Sequence, residues 1–130
     1  MKFISNLFKG RINRRNFVIG LISSETLIFI VILGFGSFLE SIFNNNVPTL
    51  VGYLFVIFFI SILLFNVSLF VRRWHDLGNT GLYIIFNFIP IISIFTVFYV
   101  IFKSGQKKQN QYGKVPQNKV HYPQDILGLN

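Results

Sequence analysis

The stretch VGYLFVIFFISILLFNVSLFV, residues 51–71, contains 21 residues and no charged side chain. As an α-helix it would be about 31 Å long, which matches a bilayer hydrocarbon core of about 30 Å. A continuous apolar run of this length is too long for one strand, and a β-barrel would show shorter segments of alternating hydrophobicity. The stretch therefore predicts a membrane-spanning helix.

Two further apolar stretches flank this one. Residues 17–39 carry one charged side chain, Glu25, and residues 82–102 carry none. Only 12% of the whole chain is charged, about half of the roughly 25% found in soluble domains. The pattern predicts an all-α, polytopic membrane protein with three hydrophobic helical segments in a single membrane domain, residues 1–113.

The two ends of the chain are polar. Apolar residues recur at helical spacing near the start, at Phe3, Ile4, Leu7 and Phe8. This spacing predicts a short helix lying at the membrane interface, with a frayed terminus as the alternative. Residues 114–130 are hydrophilic and are predicted to form a flexible polar tail.

The basic residues indicate orientation. No Lys or Arg occurs between Arg15 and Arg72, or between Arg73 and Lys103, so all 12 lie outside the apolar stretches. Because Lys and Arg near span ends concentrate on the cytoplasmic side, the N-terminus is predicted to be cytoplasmic.

The net charge of +8 bears on partners. Nucleic-acid binders spread basic residues over a folded polar surface, whereas here they flank apolar segments. In that position each would meet anionic headgroups, at about 1 kcal/mol per side chain. The predicted partners are therefore anionic membrane lipids and, as a further possibility, a second copy or a membrane partner protein; nucleic acid is not expected.

The path of residues 82–102 stays open at this point. A full third span would export the five Lys residues that follow residue 102 and break the charge rule. A re-entrant hairpin, with Pro90 at its bend and Asn87 nearby, would keep every basic residue cytoplasmic. Length favours the span, and charge favours the hairpin.

The densest polar group is RRWHDLGNTG, residues 72–81. If the second helix continues past Val71, Arg73 lies three residues before Asp76, within reach of it. Gly78 could then end the helix and Thr80 could cap the next one. Two guanidiniums beside one carboxylate would leave N–H donors for an anionic ligand. The more common alternative is that the Arg residues anchor the span while Asp76 neutralises them locally.

The sequence offers little for catalysis or metal binding. It contains no Cys, and its two His residues, His75 and His121, lack metal-ligand spacing. We expect no catalytic residue, metal or cofactor. A membrane enzyme using His75 and Asp76 as an acid/base pair is a third hypothesis, and it would need a nucleophile that the sequence does not show.

Polar residues inside the apolar stretches are Glu25, Asn66 and Asn87. An intramembrane carboxylate costs several kcal/mol, which makes a role in an ion or proton pathway a hypothesis. The alternative is that it hydrogen-bonds within the bundle. Gly20 and Ser24 form a small-residue pair that could permit close helix contact.

Three short motifs resemble those of a known family. GRINRRNF, residues 10–17, is similar to a G-R-x-x-R-x-x-[FY] opening; residues 72–81 are similar to R-R-x-H-D-x-G-x-[ST]-G; and NQYG, residues 110–113, is similar to N-x-[FY]-G. The chain resembles the DUF805 family of small bacterial inner-membrane proteins, whose function is uncharacterised. The resemblance implies a bacterial inner-membrane location and one shared feature that contains Gly10, Arg11, Arg14, Arg72, Arg73, His75, Asp76, Gly78 and Gly81.

The leading functional hypothesis is a non-catalytic membrane protein. Its cytoplasmic-face Arg/His/Asp cluster would bind an anionic headgroup, a small ligand or a partner protein, with Asp76 bridging to Arg11 or Arg14. The alternative is a subunit of an oligomeric transporter or channel that uses Glu25, Asn66 and Asn87.

Overall fold

The computed structural model describes residues 7–43 and 48–116, and within them the fold is built from helices. The elements are α1 (Arg14–Ile30), a π-helical segment (Val31–Phe35), α2 (Gly36–Phe43), α3 (Thr49–Asp76), a 3₁₀ helix (Gly81–Phe88) and α4 (Pro90–Phe102). The β-structure in these residues is one isolated bridge, between Asn110 and Gly113. The prediction of an all-α fold is confirmed for this part of the chain.

Two helices are long and apolar enough to cross a membrane. One runs without a break from α1 through the π-helical segment to α2, Arg14–Phe43, and the other is α3. Large apolar side chains cover their outer surfaces; Phe29, for example, is 63% exposed and Leu50 is 67% exposed. Water would penalise so much exposed apolar area, whereas lipid tails would solvate it.

Helices α1 and α3 are antiparallel and packed closely. A Cβ atom on Gly20 would lie 3.0 Å from the Leu69 side chain, so the missing side chain permits the contact. One turn further along, the Ser24 hydroxyl donates a 2.8 Å hydrogen bond to Asn66 Oδ1. The predicted close contact through Gly20 and Ser24 is confirmed.

The third apolar stretch is not one continuous helix. Its two parts, the 3₁₀ helix and α4, meet at Ile89, which has extended backbone angles. Pro90 begins α4, because proline lacks an N–H and disfavours helical geometry in the preceding residue. Residues 82–102 therefore do not form one straight helix, and the break lies at Ile89 and Pro90.

Both ends of this third stretch lie beside the C-terminal end of α3. A Cβ on Gly81 would lie 2.7 Å from Val71 Cγ1, and the carbonyl of Val100 accepts a 2.8 Å hydrogen bond from Arg73 Nε. The chain thus runs away from the end of α3 and returns to it, with α4 packed against both the 3₁₀ helix and α1. The third stretch is a helical hairpin.

Most of the buried apolar side chains gather at this same end of the molecule, in one cluster that excludes Leu39 and Ile62. Phe17 and Phe70 meet edge to face with their ring centroids 5.1 Å apart. Around them lie the other fully packed residues: Ile12, Leu69, Trp74 and Val100. One end of the helical bundle is therefore a well-packed body, and the polar motifs are attached to it.

Some predictions fall outside the described residues. The interfacial N-terminal helix rests largely on residues 1–6 and the polar tail on residues 117–130. The division into a membrane domain, residues 1–113, and a tail stays a prediction.

Candidate functional site

Helix α3 ends in a turn at Gly78, and this turn lies within the polar motif of residues 72–81. Gly78 has φ +86°, a conformation that glycine adopts without strain. Its N–H donates a 3.1 Å hydrogen bond to the carbonyl of His75. The N–H of Asn79 donates a 3.0 Å hydrogen bond to the carbonyl of Trp74. This is the Schellman pattern, so the prediction that Gly78 ends the helix is confirmed. Thr80 precedes the 3₁₀ helix but makes no side-chain cap.

The centre of the polar region is Asp76, which is paired with two guanidinium groups. Arg73 Nη1 lies 2.5 Å from Asp76 Oδ2, and Arg11 Nη2 lies 2.9 Å from Oδ1. All three side chains are almost fully buried. Buried charges are tolerated only when they are paired and hydrogen-bonded. The predicted bridge from Asp76 to the N-terminal motif therefore goes to Arg11.

The remaining N–H groups of Arg11 donate to backbone carbonyls. Nη1 donates to Lys108 at 2.8 Å and to Gly113 at 3.3 Å, and Nη2 donates to Gln106 at 2.6 Å. Together with Asp76, these carbonyls accept hydrogen bonds from all three guanidinium nitrogens of Arg11. The Arg11 side chain thus organises residues late in the chain.

Arg73 behaves in the same way. Its Nε donates to the carbonyl of Val100 at 2.8 Å, and its Nη2 donates to the carbonyl of Lys103. Those carbonyls lie where α4 ends, so they have no partner within the helix. Arg73 thus satisfies the end of α4 while it neutralises Asp76.

Residues 103–113, which we name the strap, cross the end of α3. The N–H of Gln106 bonds to the backbone carbonyl of Asp76 at 2.9 Å. A Cβ on Gly105 would lie 1.9 Å from Asp76 Oδ2, so the strap passes where only glycine fits. Asn110 donates to the carbonyl of His75 at 2.9 Å. Gly105 and Gln106 were not predicted, because nothing in their sequence context marks a contact.

His75 lies between the N-terminal motif and the strap. Its Nδ1 is 3.2 Å from the carbonyl of Gly10, so that nitrogen carries the hydrogen. Its ring stacks on Tyr112 with centroids 3.8 Å apart and planes 6° from parallel. A Cβ on Gly81 would lie 3.3 Å from His75 Nε2. The three motifs singled out in the sequence therefore meet in one assembly around the end of α3.

Arg72 and Arg14 play different parts. Arg72 is buried, and its carbonyl accepts a 3.3 Å hydrogen bond from the N–H of Ile12. Arg14 is exposed at the start of α1, with one long contact of 3.5 Å from Nη1 to the carbonyl of Phe102. Arg14 is therefore outside the buried ion-pair group.

A cleft of about 370 Å³ opens beside Arg14, between the start of α1 and the end of α4. Arg14 and Arg15, which are both exposed, line it. Its remaining walls are apolar and consist of Val18, Ile19, Ile101 and Phe102. Arg15 had not been singled out in the sequence, although its charge beside an apolar span was a usable signal.

The three intramembrane polar residues lie in different environments. Asn66 is bonded to Ser24, and the Glu25 side chain is exposed on α1. Asn87 Oδ1 is buried with no hydrogen-bond partner among the described residues. The structure does not bring Glu25 and Asn66 into a shared hydrogen bond. Within residues 7–43 and 48–116, no three His, Asp or Glu side chains come together as a metal-ligand set.

One family model matches the chain. It is described as "Protein of unknown function (DUF805)" and covers residues 6–114, a range that contains all three motifs of the assembly. No curated protein matches the chain, and no solved structure does.

Proposed function

The chain belongs to the DUF805 family, whose function is unknown, and from that premise we propose that it is a non-catalytic integral membrane protein that binds anionic lipid at the cleft beside Arg14 and Arg15. The proposal rests on one observation. Two exposed arginines line a cleft whose other lining residues are all apolar.

The composition of this cleft matches an anionic amphiphile. Guanidinium groups bind phosphate oxygens through charge-assisted, often bidentate hydrogen bonds. Val18 and Phe102 continue the cleft with hydrocarbon surface, against which an acyl chain can pack. A free phosphate would bind to Arg14 and Arg15 alone, whereas a phospholipid would also contact the apolar walls.

The buried ion-pair group has a different task. The donors of Arg11 and the acceptors of Asp76 are occupied within the protein. We infer that Arg11, Arg73 and Asp76 form the scaffold that joins α3, α4 and the strap, and that Arg14 and Arg15 present the ligand-binding charges.

We propose that this polar end faces the cytoplasm of a bacterial inner membrane. The hairpin returns the chain to the side of Arg11, so Lys103, Lys107 and Lys108 lie on the same side as the N-terminal arginines. Every basic residue in the described parts of the chain would then obey the charge rule.

Replacing both Arg14 and Arg15 with Gln should reduce co-purification of anionic phospholipid about tenfold or more. Two headgroup contacts at about 1 kcal/mol each account for that loss. Native mass spectrometry of protein extracted in mild detergent would count the retained phosphatidylglycerol molecules.

The control is the pair Lys107→Gln and Lys108→Gln, because these exposed residues carry the same charge outside the cleft. The control should keep its lipid. If both double variants lose lipid equally, net charge explains the loss, and the cleft has no role in lipid binding. Added inorganic phosphate should not displace the lipid; if it does, the apolar walls contribute nothing.

Single cysteines can test the orientation, since the natural chain has none. Lys9, Thr49 and Ser104 are all exposed. A membrane-impermeant maleimide added to intact cells should label Thr49→Cys only, and permeabilised cells should show all three. Labelling of Ser104→Cys from outside would mean that the strap is exported, contrary to the hairpin.

A further inference from the structure

Glu25 is a carboxyl group on the outer surface of a spanning helix. Its side chain is exposed, and it hydrogen-bonds to no residue that the structure describes. It follows Arg14 by 11 residues, which places it about 16 Å further along α1. With Arg14 at the headgroups, that position lies inside the hydrocarbon core of about 30 Å, nearer to the side of Arg14.

A carboxyl group facing lipid at this depth costs several kcal/mol, and such groups almost always face protein. Helix α1 offers Glu25 no cation at this level, because no Lys or Arg occurs between Arg15 and Arg72. The one polar contact between α1 and α3 at this level is already complete, since Ser24 donates to Asn66. A second chain packed against this face can supply the cover.

We propose that two copies of this protein associate through α1, with the two Glu25 carboxyl groups facing one another across a two-fold axis. A carboxylic acid offers both an O–H donor and a carbonyl acceptor, so it is complementary to its own copy. A two-fold interface brings the same surface of each subunit together. Glu25 satisfies that requirement without any second residue type.

The residues around Glu25 fit a helix–helix contact. Ile22 and Phe29, one turn to either side, are 61% and 63% exposed, and Ile32, two turns on, is 54% exposed. Spacings of three, four and seven residues place them on one face of a helix. This face lies further along α1 than the lipid cleft, whose last α1 residue is Ile19.

The test measures self-association of the full-length protein in lipid vesicles, by energy transfer between labelled copies. Glu25→Gln should keep the dimer, because an amide also donates and accepts. Glu25→Leu should weaken dimerisation about tenfold, as expected for one interhelical hydrogen-bonded pair. A Glu25→Leu protein that associates as tightly as the natural one overturns the proposal, as does a natural protein that stays monomeric.

Cysteine cross-linking locates the interface independently of its strength. Ile22→Cys and Phe29→Cys should form disulfide-linked dimers on mild oxidation. Leu27→Cys should not, because Leu27 is exposed on the opposite side of α1. Dimers formed through Leu27→Cys alone would place the contact on another face and contradict the proposal.

Discussion

Replacing Asp76 with Ala is expected to destabilise the protein by about 3–5 kcal/mol, the cost of leaving buried charges without their partner. The substitution leaves the Arg11 and Arg73 guanidiniums buried, with the carboxylate that bonds both of them removed. Thermal unfolding in detergent can be followed through Trp74, the only tryptophan of the chain and a buried neighbour of the ion pairs. Its emission should report the loss of structure at this end directly.

A double-mutant cycle separates the bridge from general damage. Arg11→Ala and Asp76→Ala should be non-additive by at least about 1 kcal/mol, because each removes the same contact. Arg14→Ala is the matched control, since Arg14 makes no bond to Asp76, and its effect should add to that of Asp76→Ala. Additive effects in the Arg11 cycle would show that the bridge contributes nothing to stability.

Replacing Gly105 with Ala is expected to have the second-largest effect, about 3 kcal/mol, the upper range for overpacking. The added Cβ would lie 1.9 Å from Asp76 Oδ2 and 2.6 Å from its Cγ, whereas ordinary contacts begin near 3.4 Å. The carboxylate cannot move aside, because both of its oxygens are held by arginines. The strap must therefore lift away and give up the bond from Gln106 to the backbone of Asp76.

Gly52→Ala is the control for this substitution. Gly52 lies in α3 with open space at its Cβ position, and Ala favours a helix over Gly by up to about 1 kcal/mol. It should leave the melting temperature unchanged or raise it. If Gly105→Ala melts like Gly52→Ala, the strap does not rest on Asp76 in solution.

The sequence predicted the local features well. An uncharged run of 21 residues in α3 has few alternatives to a spanning helix. The pair of Arg73 and Asp76 depends on a spacing of three residues in one helix. Gly78 ends that helix because glycine adopts a positive φ angle without strain. Each of these predictions involves neighbours in the chain, where geometry follows directly from residue type.

The long-range features could not be predicted in the same way. Arg11 and Asp76 are 65 residues apart, and spacing alone left Arg14 equally eligible. The backbone carbonyls that accept hydrogen bonds from Arg11 cannot be recognised in the sequence, because every residue has a backbone carbonyl. The strap is hydrophilic apart from Tyr112, so its composition cannot show which surface it covers. The choice between span and hairpin likewise depended on where Lys103 lies relative to Arg73.

The attachment of Arg11 to the strap has a consequence for biosynthesis. Arg11 emerges from the ribosome early, yet three of its acceptors belong to residues made about a hundred positions later, at Gln106, Lys108 and Gly113. Both spanning helices can therefore enter the bilayer before this end of the molecule is able to close. Synthesis as far as Gly113 supplies the three carbonyls that complete the hydrogen bonds of Arg11, and a chain truncated after Phe102 would lack all three.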